Sequence, residues 1–296
     1  DLLFGQLESP LSPPSTDPKK PDIQHKYLWH HSHPEMVKGL EAAGFAAVSC
    51  ASNVTYGSQT ILNSLSTLDT AKIGHCGAGR NLEEARRPAI VERGGVQFGF
   101  LSYSSVFWPV GHAAGTDTPG VATIKATTAY QPGPRALEMP GVPPLVVTTP
   151  DPTELEAMKN DVRRLREEVD IVVASCHWGV SGSSVVADYQ RAIGHAAIEA
   201  GADIVIGHHP HVLQEIEIWQ DRPIFYSMGN FVFDWERMRN KNLDGLIVYC
   251  TIRDRHLVDI AFAPVRRNND NFIELLQANR DEGGKIVDHV CNLSSK

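Results

Sequence analysis

Apolar positions along this chain fall into two rhythms that take turns. In "PEMVKGLEAAGF", Met36, Val37 and Leu40 share a helical face, and Gly44 supplies a C-terminus. The unbroken apolar run "FAAVSCA" (45–51) then reads as a buried strand. "SQTILNSLSTLDTAKIG" carries Ile61, Leu62, Leu65 and Leu68 at helical spacing, with a short strand in "IGHC" behind it. Asn81 and Glu84 stand at capping-box spacing ahead of a brief helix that Pro88 ends. "AIVERGGVQFGFLS" predicts a hairpin turning at Gly94-Gly95. The clearest helix has Asp151 as its cap, Pro152 at the first position, and a stripe of Leu155, Met158, Val162, Leu165 and Val169. Strand "DIVVASC" (170–176) follows, then a helix within 187–200 closed by Gly201, then strand "DIVIG" (203–207). "VLQEIEIW" and "PIFYSMGN" flank a turn at Gln220–Arg222. Strands alternating with helices predict an α/β fold with a largely parallel sheet.

Residues 106–148 break the rhythm. They hold Pro109, Pro119, Pro132, Pro134, Pro140, Pro143 and Pro144 with several glycines, so regular structure is not expected there. This Pro/Gly-rich insertion reads as a lid over the strand ends or as a passive surface segment. The rest of 1–296 reads as one domain, long enough for a sizeable core.

Composition narrows the choice of partners. Lys+Arg 27 against Asp+Glu 35 gives a net charge of −8 with no basic run, which argues against nucleic acid and anionic membrane surfaces. No apolar stretch approaches the roughly 18 residues of a membrane span. Five cysteines without C-x-x-C spacing suggest buried thiols, not a disulfide framework, and so lean toward a reducing, cytoplasmic compartment. The chain opens abruptly at "DLLFGQLESPLS", so a leader or a first strand is expected ahead of Asp1.

The candidate chemistry gathers just after the apolar strands. Asn53 follows "FAAVSCA", His177 follows "DIVVASC", and His208, His209 and His211 follow "DIVIG". Ligand sites in parallel sheets lie beyond the carboxyl ends of strands, where separate loops converge. Several histidines there fit a metal site, because imidazole suits Zn, Mn or Fe. The other cluster, "WHHSHPEM" with His30, His31 and His33, precedes a helix and reads as a solvated loop. His195, on the predicted 187–200 helix, is expected at the surface. Val212 after His211 breaks an alternating histidine triad, and no G-x-S-x-G offers a serine nucleophile.

The blocks "SCHWG" (175–179), "GADIVIGHHPHVLQEIEIW" (201–219) and "PIFYSMGNFVFD" (223–234) resemble the signature blocks of the bacterial capsule-synthesis family linked to poly-γ-glutamate. "GQLESPLS" (5–12), "GFAAVSCASN" (44–53) and "GAGRNLEEARRPAI" (77–90) match that family's earlier blocks in the same order. The resemblance implies a metallophosphatase-like two-sheet sandwich flanked by helices (α-β-β-α), with one or two divalent ions at the strand ends. By the same resemblance Asn53, His177, His209 and His211 would be metal ligands, with His208 as an alternative to His209 and Glu8 as the acidic residue near the ion. His177 and Asn53 would serve catalysis through the metal. Asn230 and Asp234 would stand behind the ligands or serve the turn and strand there, and Trp108 and Trp178 would line a substrate pocket or pack in the core. The implied reaction is metal-dependent hydrolysis of an ester, amide or phosphoester by a metal-activated water, on a small molecule or a polyglutamate-type peptide.

Four departures from the family pattern qualify this. The family's opening Gly-Asp strand, whose Asp binds metal, would lie ahead of Asp1. Val54 stands where the family's acid histidine is usual, and "VSGSS" replaces the acidic residue after "HWG". Gln6 takes the place of an asparagine. Valine carries no proton, so the alternative is a non-catalytic or altered-chemistry protein of capsule or poly-γ-glutamate assembly that binds a ligand. If turnover persists, His75 and His112 are the candidate replacement acids.

Overall fold

The computed structural model describes residues 1–17, 19–23, 26–27, 29–233, 240–241 and 243–294. The chain begins with β1 (Leu3–Gln6), α1 (Val37–Ala43), β2 (Phe45–Ser49), α2 (Ser58–Thr70) and β3 (Gly74–Cys76). Strands β1, β2 and β3 form a three-stranded parallel sheet. Gly44 ends α1 in the left-handed region at φ 82°, as its position predicted. Next come β4 (Ala78–Gly79), α3 (Leu82–Ala85), β5 (Ala89–Arg93) and β6 (Val96–Ser104), the last two joined at Gly94-Gly95 as an antiparallel hairpin. Asn81 caps α3 by accepting from the Glu84 amide at 2.9 Å, but the Glu84 carboxylate turns to Arg80 instead of closing the box. β7 (Gly120–Val121) pairs with β4, and β8 (Ala126–Gln131) pairs with β9 (Leu145–Pro150).

The second half continues with α4 (Pro152–Glu168), β10 (Ile171–His177), α5 (Asp188–Ala200), β11 (Ile204–His208), β12 (Ile216–Trp219) and β13 (Arg222–Phe225). The main sheet has the order β12-β13-β11-β10-β6-β5, parallel in its four central strands and antiparallel at both edges. β14 (Asp244–Arg253), β15 (His256–Arg267) and β16 (Ile273–Leu275) form a third, antiparallel sheet, and α6 (Asp281–Ser294) follows. The fold is therefore mixed α/β, as expected, with an antiparallel C-terminal part that the hydrophobic pattern did not announce.

Alternation along the central strands sets the layers. Val172, Ala174 and Val205 face α4 and α5, where Met158, Val162, Leu165, Ile193 and Ala197 cover them. Ile171, Val173, Ile204 and Phe225 face the other way, against Ala47 and Cys76 of the first sheet and Val248, Cys250 and Ile260 of the third. Phe4 stacks on Phe100 across this interface, ring centres 4.4 Å apart. On its far side the first sheet is covered by Ile61, Leu65 and Leu68 of α2. Burying apolar side chains on both faces of the main sheet supplies most of the driving force. It also leaves the carboxyl ends of β1, β2, β10 and β11 as the place where polar loops meet.

The expectation for residues 106–148 is corrected. Its flanks form a regular hairpin, with Ala126 through Gln131 paired residue by residue to Pro150 through Leu145. The prolines from Pro132 to Pro144 sit in the connection, where they break no ladder. The base of the hairpin is tied to α5, because Asp188 accepts from the Thr148 amide and Thr148 Oγ1 accepts from the Tyr189 amide. His112, Val121, Ala122 and Ile124 are buried, so the early part of the segment is core and not a passive insertion.

Candidate metal centre

Glu8 lies two residues beyond β1, His177 ends β10, and His209 and His211 lie just beyond β11. The sandwich brings them face to face. Glu8 Oε1 stands 3.8 Å from His177 Nε2 and 3.7 Å from His211 Nε2. One ligand atom each from Glu8, His177 and His209 lie within 4.8 Å of one another. The rings of His177 and His209 are 4.8 Å apart, and those of His209 and His211 5.7 Å. Two ligands of one tetrahedral ion lie ~3–3.5 Å apart, so the 3.7 and 3.8 Å approaches to Glu8 are close to the spacing a shared cation needs.

The turn after β11 is shaped for convergence. His209 and His211 both hold positive φ, 95° and 58°, a conformation that costs a non-glycine residue ~1–3 kcal/mol and tends to be kept where function requires it. Gly207 makes the preceding strand end possible: a Cβ there would meet Tyr226 O at 2.0 Å and Trp178 Nε1 at 2.4 Å. Those two atoms are themselves hydrogen-bonded at 2.8 Å, so strand and turn are locked together.

Burial makes these histidines lone-pair donors. It pushes His177 well below the usual imidazole range, helped by the neighbouring imidazoles of His209, His208 and His211. His209 falls to about 3 through burial, then through His211 and Lys26; His208 falls to about 4 through burial alone. Burial raises the Glu8 carboxyl, while His211 and Lys26 pull it back down. His211 has a defined orientation: its Nδ1–H donates to Asn230 Oδ1 at 2.9 Å, which turns Nε2 toward Glu8 at 3.7 Å.

Whether these residues fit a cation is tested by their own unmet bonds. Among the described residues, Asn53 Oδ1, both ring nitrogens of His177, His208 Nε2 and His209 Nδ1 are buried without a hydrogen-bond partner. Each such atom costs ~1–3 kcal/mol when left unsatisfied, so several at adjoining strand ends make a poor core and a good ligand set. A mixed carboxylate–imidazole set suits Zn, Mn or Fe.

The other candidates fall into place around this cluster. Asn230 stands behind His211, accepting from its Nδ1, and a Cβ at Gly245 would strike the Asn230 carbonyl at 2.0 Å. Asp234 lies outside the described residues. Trp108 donates through Nε1 to the Asn53 carbonyl at 3.0 Å, bracing the loop that carries Asn53. Trp178 does not line a pocket: it is fully buried on the helix side of the sheet, stacked on Tyr226. His208 pairs in register with His177 and points its buried Nε2 from the same strand ends.

Expectations for four histidines are corrected. His31 is 7% exposed, its amide bonded to Asp22, so the "WHHSH" stretch is only partly solvated. His195 is half-buried, stacked on Trp219 at 3.8 Å and bonded to Glu217. His112 is no spare acid, since its Nδ1 accepts from the Trp108 amide and its Nε2–H donates to the Ser52 carbonyl. Burial holds it at about 4, neutral at pH 7. His75 is committed to Asp69 at 3.0 Å.

Sequence reasoning missed three residues. Lys26 acts electrostatically on Glu8 and His209 from the long loop after β1. Phe233 sets its ring edge-on to His211 at 5.1 Å. Arg267, 1% exposed at the end of β15, donates to the carbonyls of Phe233 and Lys241 and lies 5.7 Å from the Phe233 ring. The histidine motif could have drawn attention to Phe233, which belongs to a block already singled out. Nothing local marks Arg267.

The family profile described as "Bacterial capsule synthesis protein PGA_cap" matches residues 1–235. The chain belongs to this family. Its capsule-synthesis relatives include the "PGA biosynthesis protein CapA" of Bacillus subtilis (strain 168), 32% identical over 82% of this chain and 56% of that protein. The "Capsule biosynthesis protein CapA" of Bacillus anthracis is 28% identical over 90% of this chain and 58% of its own length. A third relative, from Mycobacterium tuberculosis (strain CDC 1551 / Oshkosh), carries the name "Probable polyglutamine synthesis accessory protein MT0602" and is 27% identical over 81% and 60%. The chain thus spans a little over half the length of these curated relatives. Among the described residues no helix is long and apolar enough to cross a membrane.

Proposed function

We propose that this capsule-synthesis family member is a metal-dependent hydrolase on a single metallophosphatase-like domain, acting on an ester, amide or phosphoester of a capsule polymer or its precursor. The family and the names of its relatives suggest a polyglutamate-type substrate. The observation that carries the reading is the set of buried, unbonded polar atoms at the strand ends, where Glu8, His177 and His209 bring ligand atoms within 4.8 Å of one another. Support for the fold comes from helices, two stacked sheets and parallel strand ends in the order that such a site requires.

Glu8, His177, His209 and His211 would hold the ion, with Asn53 and His208 as further ligands from adjoining ends. A divalent cation there supplies Lewis acidity and lowers the pKa of water toward neutrality. Asn230 keeps His211 in the tautomer whose Nε2 can bind. Trp108 and His112 pin the Ser52–Asn53 backbone so that the Asn53 amide stays at the rim. Val54, wholly buried, gives the leaving group no proton. Since a positioned acid is worth about 10²–10⁴ in rate, activated esters and carbonyl substrates should be cleaved in preference to alkyl phosphates.

Metal analysis of the purified protein, followed by Mn- or Zn-supplemented assays on nitrophenyl phosphate, nitrophenyl acetate, an alkyl phosphate and a γ-glutamyl oligomer, tests this. Stoichiometric metal with turnover that disappears in His177→Ala supports it. Fast hydrolysis of the alkyl phosphate would overturn the role assigned to Val54. The second reading, a binding protein that has lost its chemistry, is favoured by the same valine and predicts bound metal and bound oligomer without turnover.

A further inference from the structure

The position that lacks the acid histidine is covered. Val54 packs beneath Ile23 and Trp29, with Tyr56 and Trp108 at the margin. The described covering residues are tied to one another: the Asp22 amide donates to the Trp29 carbonyl at 2.9 Å, the Lys26 amide to the Ile23 carbonyl at 3.0 Å, and the Trp29 amide to the Lys26 carbonyl at 3.0 Å. Its base is tied down by the Asp22 carboxylate, which accepts from the Ser15 and His31 amides at 2.7 and 2.8 Å. The backbone of Lys26 is thereby held on both sides. Its ammonium lies over the Trp29 ring, 4.5 Å from the centre. The same charge acts on Glu8 and on His209, two of the converging groups. A cation held against an aromatic wall that packs on Val54, next to Asn53, and close enough to act on Glu8 and His209, is placed to receive negative oxygen.

We propose that Lys26, held by the Trp29 ring, is a substrate-binding residue that fixes an anionic oxygen group, a carboxylate or a phosphate, beside the metal centre. This rests on the hydrolase reading above and adds to it the charge of the substrate. A polymer or precursor rich in carboxylates would present such a group next to every bond to be cleaved. Lys26 then contributes chiefly to binding, and it orients the substrate where Val54 contributes only an apolar surface.

The test is calorimetric titration of the full chain with inorganic phosphate and with a γ-glutamyl trimer, with and without Mn²⁺, on the wild type, Lys26→Met, Lys26→Gln and Lys26→Arg. Thermal melts and metal analysis run in parallel. The expected result is unchanged Mn²⁺ uptake in all variants, binding weakened by at least about tenfold in Lys26→Met and Lys26→Gln, and affinity largely restored in Lys26→Arg. A drop for the trimer alone identifies a carboxylate subsite, and a drop for phosphate alone a phosphate subsite. Should Lys26→Met fail to fold, Lys26→Gln decides the matter. In turnover assays the loss should appear in KM more than in kcat. Equal affinity of the wild type and both neutral variants for both probes overturns the proposal, as does absence of binding in the wild type. A wild type that takes up no Mn²⁺ ends the hydrolase reading alone, because the metal-free titrations still decide Lys26 by the same criterion.

Discussion

Two segments of this chain share the pattern His-His-x-His, and only one of them builds a cluster. In His208–His211 the pattern follows a parallel strand, and positive φ at His209 and His211 folds the side chains back over the strand ends, toward His177 and Glu8. In His30–His33 it runs through the loop between β1 and α1, and the rings part company. His30 approaches Asp22 at 3.4 Å, His31 is buried, and His33 caps the short helical turn Pro34–Met36 by accepting from the Glu35 amide. Spacing supplies ligand types. Convergence requires that several chain segments end at one place, which a parallel sheet does and a single loop does not.

The largest expected effect separates the two segments directly. His177→Ala, His209→Ala or Glu8→Gln should lower metal affinity by more than about 100-fold, since loss of a mere supporting residue already costs about 10–100-fold. His30→Ala and His33→Ala should leave metal uptake unchanged. Metal titration with a competing chelator reads both, and a loss in His33→Ala equal to that in His209→Ala would break the comparison.

A third use of histidine, as a buried clamp, should show in the pH dependence of stability. His112 is held at about 4 in the folded chain, against about 6.5 when unfolded. The unfolded state therefore takes the proton first. The contribution of His112 is complete above about pH 6.5, falls as pH drops, and levels off below about 4, a loss on the order of 3 kcal/mol. Urea midpoints across that range should fall less steeply in His112→Gln than in the wild type. Parallel curves would show that the ring is not buried neutral.

Asn230→Ala sharpens the contrast within the converging segment. It removes the acceptor that sets the His211 tautomer, and should reduce metal affinity by about 10–100-fold while the chain stays folded. Metal titration together with near-ultraviolet circular dichroism distinguishes this from unfolding. The smallest effect expected is that of Trp108→Phe, which deletes one hydrogen bond to the Asn53 carbonyl and should cost about 1 kcal/mol in thermal or urea stability. A much larger loss would mean that the bracing loop is part of the folding core.

Much of the architecture was legible in the pattern of residues, because helices and buried strands announce themselves over short windows. The stripe of α4, the Asp151 cap and the Gly44 and Gly201 terminations all follow from local geometry. The positions of Asn53 and of the candidate histidine ligands after apolar strands were equally visible, whereas Glu8 was marked only by the family resemblance. Four things were decided only by tertiary structure. Glu8 meets His177 because two sheets stack, and no spacing rule links residues so far apart in sequence. Trp178 turns into the helix-side core while its neighbour His177 turns to the cluster, since adjacent residues of a strand face opposite layers. The hairpin in 106–148 forms despite its prolines because they collect in the connection. Arg267 reaches Phe233, and through it His211, from a strand whose local sequence says nothing of the site. Local pattern is written by backbone periodicity and side-chain burial. Convergence is a long-range property of how the layers stack, and short-range pattern carries no record of it.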